Sequence, residues 1–217
     1  MQEDMEARAK KIVSTDSSKV AMKIIPGHFA TNHSHINYYI DMTTMKSRQS
    51  SAHEVARAIV GKYQTTKTVD TIVCMDDTET IGAYLADELT SAGFLSMNAH
   101  KSIYVITPEF NSVGQLIFRD NLQPMVRDKH MLLLLASATT GRTIERALEC
   151  IDYYGGIVED IIALFSATDN VSGYDIRAVF KDDDIPGYAT YPHNACPYCK
   201  DGVKIDAIVN SFGYSKL

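Results

Sequence analysis

The chain has 217 residues, of which 45% are hydrophobic and 22% charged, as is ordinary for a soluble globular domain. The formal net charge of −6 and the lack of any basic run exclude non-specific nucleic-acid binding from the expected functions. No apolar stretch approaches the length of a membrane span, and the acidic first residues lack the apolar core of a signal peptide. The four cysteines do not form the pattern of a secreted disulfide framework, so we expect a cytoplasmic protein.

Apolar periodicity predicts alternating helices and strands along the first half of the chain. Ser51 and Glu54 have the spacing of a capping box before an apolar helical face. Lys46 and Arg48 precede this helix and are expected to be solvated surface charges. The predicted elements, in chain order, are a helix over Glu3–Val13, a strand-like segment over Ile24–Asp41, a helix from Ser51 to about Tyr63, a strand over Thr68–Met75, a helix over Glu79–Ala92 and a strand over Ser102–Ile106.

The second half of the chain continues this alternation. Residues 107–129 are weakly patterned, which predicts a mobile excursion from the domain. A buried strand is then predicted over Met131–Leu135, followed by an amphipathic helix that ends at Gly155, and by strands over Val158–Ser166 and Ile176–Phe180. Because no linker divides the chain, we predict one α/β domain over residues 1–217, with a right-handed parallel sheet flanked by helices.

The strongest functional signal lies in the turn between the strand at Met131–Leu135 and the helix that follows it. Gly141 can adopt the left-handed backbone that closes a loop around an anion. A phosphate there would meet free backbone N–H groups and the positive end of the helix dipole. The alternative is an ordinary turn with Thr143 as the helix cap. The predicted phosphate-binding residues are Ser137, Ala138, Thr139, Thr140, Gly141, Arg142 and Thr143.

A second candidate group follows the predicted strand over Thr68–Met75. Ligands of parallel sheets bind beyond the C-terminal ends of the strands, and Asp76, Asp77 and Thr78 reach that edge together with the phosphate turn. These three residues are therefore candidates for a pyrophosphate-binding or magnesium-binding loop. Helix capping and neutralisation of the helix dipole are the alternative explanation for the same residues.

Aromatic and imidazole side chains are concentrated between Pro26 and Asp41. Phe29, His33, His35 and Tyr38 are candidates for a pocket that holds a planar base. Alternating aromatic residues on a half-buried strand also occur as simple packing, so both interpretations remain open.

Near the C-terminus, His193, Cys196 and Cys199 have the spacing of half a zinc site. No second pair with such spacing is evident in the sequence. A tight structural turn is therefore the favoured interpretation, and a metal or redox role is the alternative.

Taken in order, these segments resemble type I phosphoribosyltransferases and, within that family, the orotate phosphoribosyltransferases. Residues 132–156 are similar to the family's strand, phosphate loop and helix, and residues 27–41 resemble its N-terminal base-binding segment. Residues 196–202 resemble a Cys-Pro-x-Cys-Lys-x-Gly tail that occurs in one branch of these enzymes. The resemblance covers about Pro26 to Gly202, which is most of the chain.

The resemblance implies a parallel sheet with a small hood formed by residues from about 20–45 and 181–217. It also implies a homodimer that transfers a phosphoribosyl group from phosphoribosyl pyrophosphate to orotate with Mg²⁺, a step of pyrimidine nucleotide biosynthesis. The turn at residues 137–143 would hold the 5′-phosphate, while the site stabilises the charge that develops on pyrophosphate and ribose.

Three features depart from that family. The acidic pair before the phosphate loop is replaced by Leu135 and Ala136, whose side chains cannot accept hydrogen bonds from ribose hydroxyls. Residues 106–114, which correspond to the family's mobile basic loop, contain no Arg or Lys. The loop at Asp76 and Asp77 is acidic, whereas the family's loop is small and lets pyrophosphate approach the backbone.

Two hypotheses follow from this mixture of retained and missing features. In the first, the chain is an orotate phosphoribosyltransferase-like enzyme that works with displaced or unusual catalytic groups, although the missing acids and bases predict impaired or lost catalysis. In the second, it is a non-catalytic binding or regulatory protein for a nucleotide that carries ribose 5-phosphate. Both hypotheses keep the phosphate turn, and they differ in whether phosphoribosyl transfer occurs.

Overall fold

The computed structural model describes residues 5–62, 67–91, 97–99 and 101–217. Within these ranges the α-helices are α1 (Thr43–Ser47), α2 (Gln49–Lys62), α3 (Glu79–Ser91), α4 (Arg142–Tyr153) and α5 (Pro197–Lys200). The strands are β1 (Lys10–Val13), β2 (Ala21–Ala30), β3 (His35–Asp41), β4 (Thr71–Cys74), β5 (Tyr104–Ile106), β6 (Glu109–Phe110), β7 (Leu116–Ile117), β8 (His130–Ala138), β9 (Ile157–Ser166), β10 (Asn170–Val171), β11 (Tyr174–Lys181), β12 (Thr190–Tyr191), β13 (Ala207–Asn210) and β14 (Gly213–Lys216).

The larger part of the fold is a sheet with the strand order β10-β11-β9-β8-β4-β5. Strands β11, β9, β8, β4 and β5 run parallel to their neighbours, and β10 pairs antiparallel with β11. This arrangement confirms the predicted α/β fold with a parallel sheet. Because parallel strands end at the same edge, the loops after β4 and β8 lie side by side.

Strand β8 occupies the middle of this sheet and is apolar on both faces. Leu132 and Leu134 pack into a cluster with residues of α2 and α3, while Leu133 and Leu135 pack into a second cluster with residues of α4. Helices therefore cover both faces of the sheet, which explains why the run of leucines shows no polar alternation.

A second sheet packs beside the parallel one and has the order β12-β3-β2-β13-β14, with β1 paired to β2. It joins the N-terminal hairpin β2–β3 to strands from the end of the chain. The predicted strand-like segment Ile24–Asp41 is this hairpin, which turns at residues 31–34, where the backbone N–H of Thr31 donates to the carbonyl of Ser34 over 2.8 Å. The small core of this sheet includes Ile25 and Phe29.

The predicted helix over Glu3–Val13 is wrong for the residues that the structure describes. Met5–Arg8 form a single 3₁₀ turn, and Lys10–Val13 form β1. The reason is non-local: β1 pairs antiparallel with β2, in the register that sets Ile12 against Met22. A strand partner elsewhere in the chain overrides the weak helical pattern of a short segment.

The segment 107–129 departs in part from the predicted excursion. Its first part is the hairpin β6–β7, but its remainder packs into the core, where Phe118 is 2% exposed and Val126 is fully buried. These apolar side chains are too widely spaced along the sequence to produce a helical or strand period.

The other predicted elements are confirmed with small shifts at their ends. Helix α2 begins at Gln49, so Ser51 lies inside the helix and is not its cap. Tyr63 and Ala92, the predicted ends of two helices, lie outside the described residues. Among the helices in the described ranges, none combines the length and apolarity that crossing a membrane requires.

Substitution of two helical glycines tests how closely the helices pack on the sheet. A Cβ at Gly82 in α3 would lie 2.4 Å from Sγ of Cys74, whereas a Cβ at Gly61 in α2 would meet nothing within 4 Å. We expect Gly82→Ala to lower the free energy of unfolding by about 1–3 kcal/mol through overpacking. The control Gly61→Ala should be neutral or raise it by up to about 1 kcal/mol, because alanine favours the helix. Urea unfolding measures both, and equal effects would contradict the close contact of α3 with β4.

Candidate functional site

A cleft of about 480 Å³ opens at the C-terminal edge of the parallel sheet, between that edge and the second sheet. All seven predicted phosphate-binding residues, 137–143, line it. The opposite wall is formed by the β2–β3 turn, by α1 and by the loop between β13 and β14. The residues of that wall are Thr31, Asn32, His33, Ile36, Tyr39, Ile40, Met42, Thr43, Lys46, Val209, Asn210, Ser211 and Phe212.

The turn from β8 into α4 depends on Gly141. Its φ is +74°, in the left-handed region, and a Cβ at this position would lie 2.6 Å from Cγ2 of Val171. Glycine is therefore required both by the backbone conformation and by the close approach of β10. The carbonyl of Gly141 accepts the first hydrogen bond of α4, from the backbone N–H of Glu145 over 2.9 Å.

The first turn of α4 borders the cleft. Its N-cap residue, Gly141, has no side chain that could accept a hydrogen bond from the first turn of the helix. The first N–H groups of a helix have no partner within the helix, and the helix dipole adds partial positive charge there. Arg142 and Arg146 also line the cleft, and each adds a positive charge to this helix end.

Leu135 and Ala136, which precede the turn on β8, bring no polar side chain to the cleft. Leu135 is 1% exposed and packs in the apolar cluster beneath α4, while Ala136 is 2% exposed and lines the cleft. The cleft therefore offers no carboxylate on β8.

The loop after the neighbouring strand β4 brings a carboxylate close to these two residues. Asp76, just after β4, lines the cleft, and its carboxylate lies near the backbone N–H groups of Ala136 and Ser137, which favour its charged form. Burial raises the pKa of Asp76, and the effect outweighs the opposing influence of Lys46 and of the two N–H groups. Asp76 and Asp77 have φ values of 59° and 60°, a left-handed backbone that aspartate tolerates better than most residues.

Lys46 is a site residue that sequence reasoning placed wrongly on the surface. Its side chain is 9% exposed, and Nζ donates to the carbonyls of Asp76 over 2.7 Å and of Ser211 over 2.8 Å. Nζ also lies 3.8 Å from a carboxylate oxygen of Asp77. Lys46 thus joins α1, the loop after β4 and the β13–β14 loop at one point. Nothing in its local sequence distinguishes it from a surface lysine.

The three residues of the predicted pyrophosphate or magnesium loop have different environments. Asp76 faces the cleft, whereas the carboxylate of Asp77 is 53% exposed. The hydroxyl of Thr78 is fully buried and donates to the carbonyls of Met75 and Leu134, at 2.8 and 3.2 Å. The prediction must therefore be revised for Thr78, whose hydroxyl holds the loop against β8 instead of facing a ligand.

The predicted base pocket also needs revision, because only His33 of its four residues lines the cleft. Phe29 is fully buried in the core of the second sheet. Tyr38 donates its hydroxyl to the carbonyl of Pro186 over 3.2 Å and lines a separate groove. His35 is 8% exposed and faces the C-terminal cysteines. The strand alternation that carries these side chains sends them to opposite faces of the second sheet.

The suggested half zinc site is rearranged in the structure. His193 does not join the cysteines, and its Nε2 lies 3.2 Å from the carbonyl of Thr31. Cys196 and Cys199 instead meet His28 and His35, and the four possible ligand atoms all lie within 4.8 Å of one another.

The hairpin β6–β7 reaches the cleft through Phe110 and Gly114. Its nearest base, Arg119, forms an ion pair with Glu109 across the hairpin. This guanidinium is therefore already engaged outside the cleft, in agreement with the absence of bases from residues 106–114.

The role of Lys46 can be tested by replacement with a side chain of similar length. We expect Lys46→Met to lower the free energy of unfolding by about 2–4 kcal/mol, because two carbonyls lose a charged donor. The control Arg48→Met, at an exposed position two residues away, should change it by less than about 0.5 kcal/mol. Chemical denaturation measures both values, and a similar small effect for the two variants would contradict the buried bridge.

No protein-family model matches the sequence, and no curated protein sequence matches it. Among solved structures, the chain is similar to UMP synthase from Leishmania donovani, with a TM-score of 0.53 and 18% identity over 83% of this chain and 36% of that one. It is also similar to orotate phosphoribosyltransferase from Mycobacterium tuberculosis in complex with Fe(III) dicitrate, with a TM-score of 0.50 and 13% identity over 75% of this chain and 91% of that one. The same enzyme in complex with inorganic phosphate gives a TM-score of 0.50 and 12% identity, over 69% and 80% of the two chains. This chain therefore shares the fold of these phosphoribosyltransferases.

Proposed function

We propose that the cleft binds a ligand that carries ribose 5-phosphate, with the phosphate at the N-terminus of α4. The observation that carries this proposal is the turn at residues 139–143, whose left-handed Gly141 leads into a helix with no side-chain cap. The Mycobacterium tuberculosis enzyme of similar fold is described in complex with inorganic phosphate, which supports the same ligand chemistry.

The charges around the turn favour a dianion. Arg142 and Arg146 line the cleft, and the hydroxyls of Thr140 and Thr143 stand at the same wall. Hydrogen bonds to a charged group contribute roughly 1.5–3 kcal/mol each, more than bonds between neutral groups. A phosphate can therefore dominate the affinity of a larger ligand here.

The rest of the ligand would extend from the phosphate toward the second sheet. Two aromatic side chains line the cleft and are strongly exposed: Phe110 at 55% and Phe212 at 78%. Exposed rings at the mouth of a cleft suit stacking against a planar base. Together with His33 they replace the base pocket that sequence reasoning placed at Phe29, His35 and Tyr38.

We propose further that phosphoribosyl transfer to orotate is impaired. Leu135 and Ala136 offer no acceptor for the ribose hydroxyls, and two missing hydrogen bonds to charged groups would cost about 3–6 kcal/mol, or roughly 10²- to 10⁴-fold in affinity. The hairpin β6–β7 also carries no Lys or Arg that could meet a leaving pyrophosphate.

One observation favours the alternative, a working phosphoribosyltransferase. The carboxylate of Asp76 lies near the backbone N–H groups of Ala136 and Ser137, beside the place that the family's acidic pair would occupy. In this alternative, Asp76 binds the ribose hydroxyls from the neighbouring strand. Carboxylate oxygens are also the ligand type that Mg²⁺ prefers, and Asp76 is the residue of its loop that faces the cleft.

Binding can be tested by thermal denaturation with ribose 5-phosphate. At a ligand concentration of about 100 times Kd, the melting temperature should rise by roughly 5–10 °C. The double variant Thr140→Val with Thr143→Val keeps side-chain shape, removes two hydroxyls, and should weaken binding by about tenfold or more. The control Thr44→Val, on the exposed side of α1, should bind as the native protein does. No rise for the native protein, or an equal rise for the double variant, would contradict the phosphate site.

Transfer can be tested by following the ultraviolet absorbance of orotate with phosphoribosyl pyrophosphate and Mg²⁺. Impaired catalysis predicts no consumption of orotate above the protein-free background. Consumption that falls about tenfold or more in Asp76→Asn, but not in the control Asp87→Asn on α3, would instead establish the alternative. Turnover that is unaffected by Asp76→Asn would contradict both the proposal of impaired transfer and the alternative in which Asp76 binds the ribose hydroxyls.

A further inference from the structure

Four side chains with metal-binding atoms meet on the far side of the β2–β3 hairpin from the cleft. They are His28 at the end of β2, His35 at the start of β3, and Cys196 and Cys199 around α5. His28 and Cys196 are each 1% exposed and His35 is 8% exposed, so three of the four side chains are shielded from water, while Cys199 is exposed. Cys196 and His28 are 168 positions apart in the chain, which is why the sequence shows only half of the group.

The distances within this group match the edges of a tetrahedron around one ion. Nε2 of His28 lies 2.9 Å from Nδ1 of His35, 3.5 Å from Sγ of Cys196 and 3.6 Å from Sγ of Cys199. Sγ of Cys199 lies 3.3 Å from Nδ1 of His35. Zinc bonds of about 2.0–2.1 Å to nitrogen and 2.3 Å to sulfur place tetrahedral ligand atoms about 3.3–3.8 Å apart. Small movements of the side chains would therefore bring all four atoms to bonding distance.

The surroundings of His28 hold its ring in the tautomer that a metal requires. Its Nδ1 lies 2.9 Å from the carbonyl of Val203, which can only accept a hydrogen bond, so Nδ1 carries the proton and Nε2 keeps its lone pair. Its backbone N–H donates to a carboxylate oxygen of Asp206 over 2.9 Å, and the ring of Tyr198 stacks on it at a centroid distance of 5.3 Å. The imidazole is thus positioned before any ion binds.

We propose that Nε2 of His28, Nδ1 of His35 and the thiolates of Cys196 and Cys199 bind one Zn²⁺ ion as a structural site. Two imidazoles and two thiolates in tetrahedral arrangement are the donor set that zinc favours over magnesium or calcium. The two thiols lose their protons to solvent on binding, and the two thiolate charges then neutralise the ion. With four protein ligands, no coordination position remains for a substrate.

The ion would fasten the C-terminal segment to the N-terminal hairpin. The turn at residues 31–34 joins the two histidines, and its residues Thr31, Asn32 and His33 line the cleft. Zinc therefore fixes one wall of the cleft without contributing to the chemistry inside it. A disulfide between Cys196 and Cys199 is the competing use of the two thiols, and it leaves the imidazoles unbridged.

The test is the zinc content of the full-length protein, expressed with zinc in the medium and purified without chelators. Mass spectrometry of the metals should find about one Zn²⁺ per chain in the native protein and in the control Cys150→Ser, which alters a buried cysteine on α4. Cys199→Ser, the most exposed ligand, and His35→Ala should each reduce the content to below about one fifth. Removing zinc with a chelator should lower the melting temperature by roughly 5–10 °C, and added Zn²⁺ should restore it.

Cobalt provides a second measurement that does not depend on the folding of variants. Co²⁺ added to the zinc-free native protein should produce the strong visible bands of a tetrahedral complex and a sulfur-to-metal charge-transfer band. Native protein with less than about 0.1 Zn²⁺ per chain and no cobalt bands would overturn the proposal. So would a Cys196–Cys199 disulfide found by peptide mass spectrometry in place of the metal. Zinc retained at the native level in Cys199→Ser would also overturn it.

Discussion

The site depends on how β8 leads into α4. Strand β8 is buried on both faces and ends at the C-terminal edge of the sheet. Gly141, with its left-handed backbone, then leads directly into α4. The turn places the first residues of α4 along the cleft and leaves their N–H groups with no side-chain cap. Val171 of β10 packs against the position where a Cβ of Gly141 would lie, so a larger residue at this position would clash with β10. Every proposed ligand contact is placed relative to these N–H groups.

Around this fixed point, polar groups join the second sheet to the parallel one. Lys46 donates to carbonyls of Asp76 and Ser211, which belong to loops on opposite sides of the cleft. The carboxylate of Asp76 in turn lies near backbone N–H groups at the end of β8, which favour its charged form. Lys46 and the loop at Asp76 therefore connect the two walls of the cleft, and a ligand would meet a largely preformed site.

Local patterns in the sequence were sufficient for the parallel sheet and for the glycine turn between β8 and α4. The apolar run at Met131–Leu135 and the helical spacing after it depend only on neighbouring residues, and the structure contains both elements. Features that depend on distant residues could not be predicted in this way. Lys10–Val13 form a strand because β2 lies beside them. His35 lies outside the predicted base pocket, with its Nδ1 3.3 Å from Sγ of Cys199, a residue 164 positions away in the chain. The burial of Lys46 has the same origin, since both of its carbonyl partners come from other segments.

The central claim is that the N-terminus of α4 holds a phosphate. A crystal structure grown with ribose 5-phosphate tests it most directly, because it locates the anion. The account predicts a phosphate group within hydrogen-bond distance of the backbone N–H groups of residues 140–143, with the ribose directed toward the second sheet. A ligand bound elsewhere, or a turn whose N–H groups contact only protein atoms at saturating ligand, would contradict it.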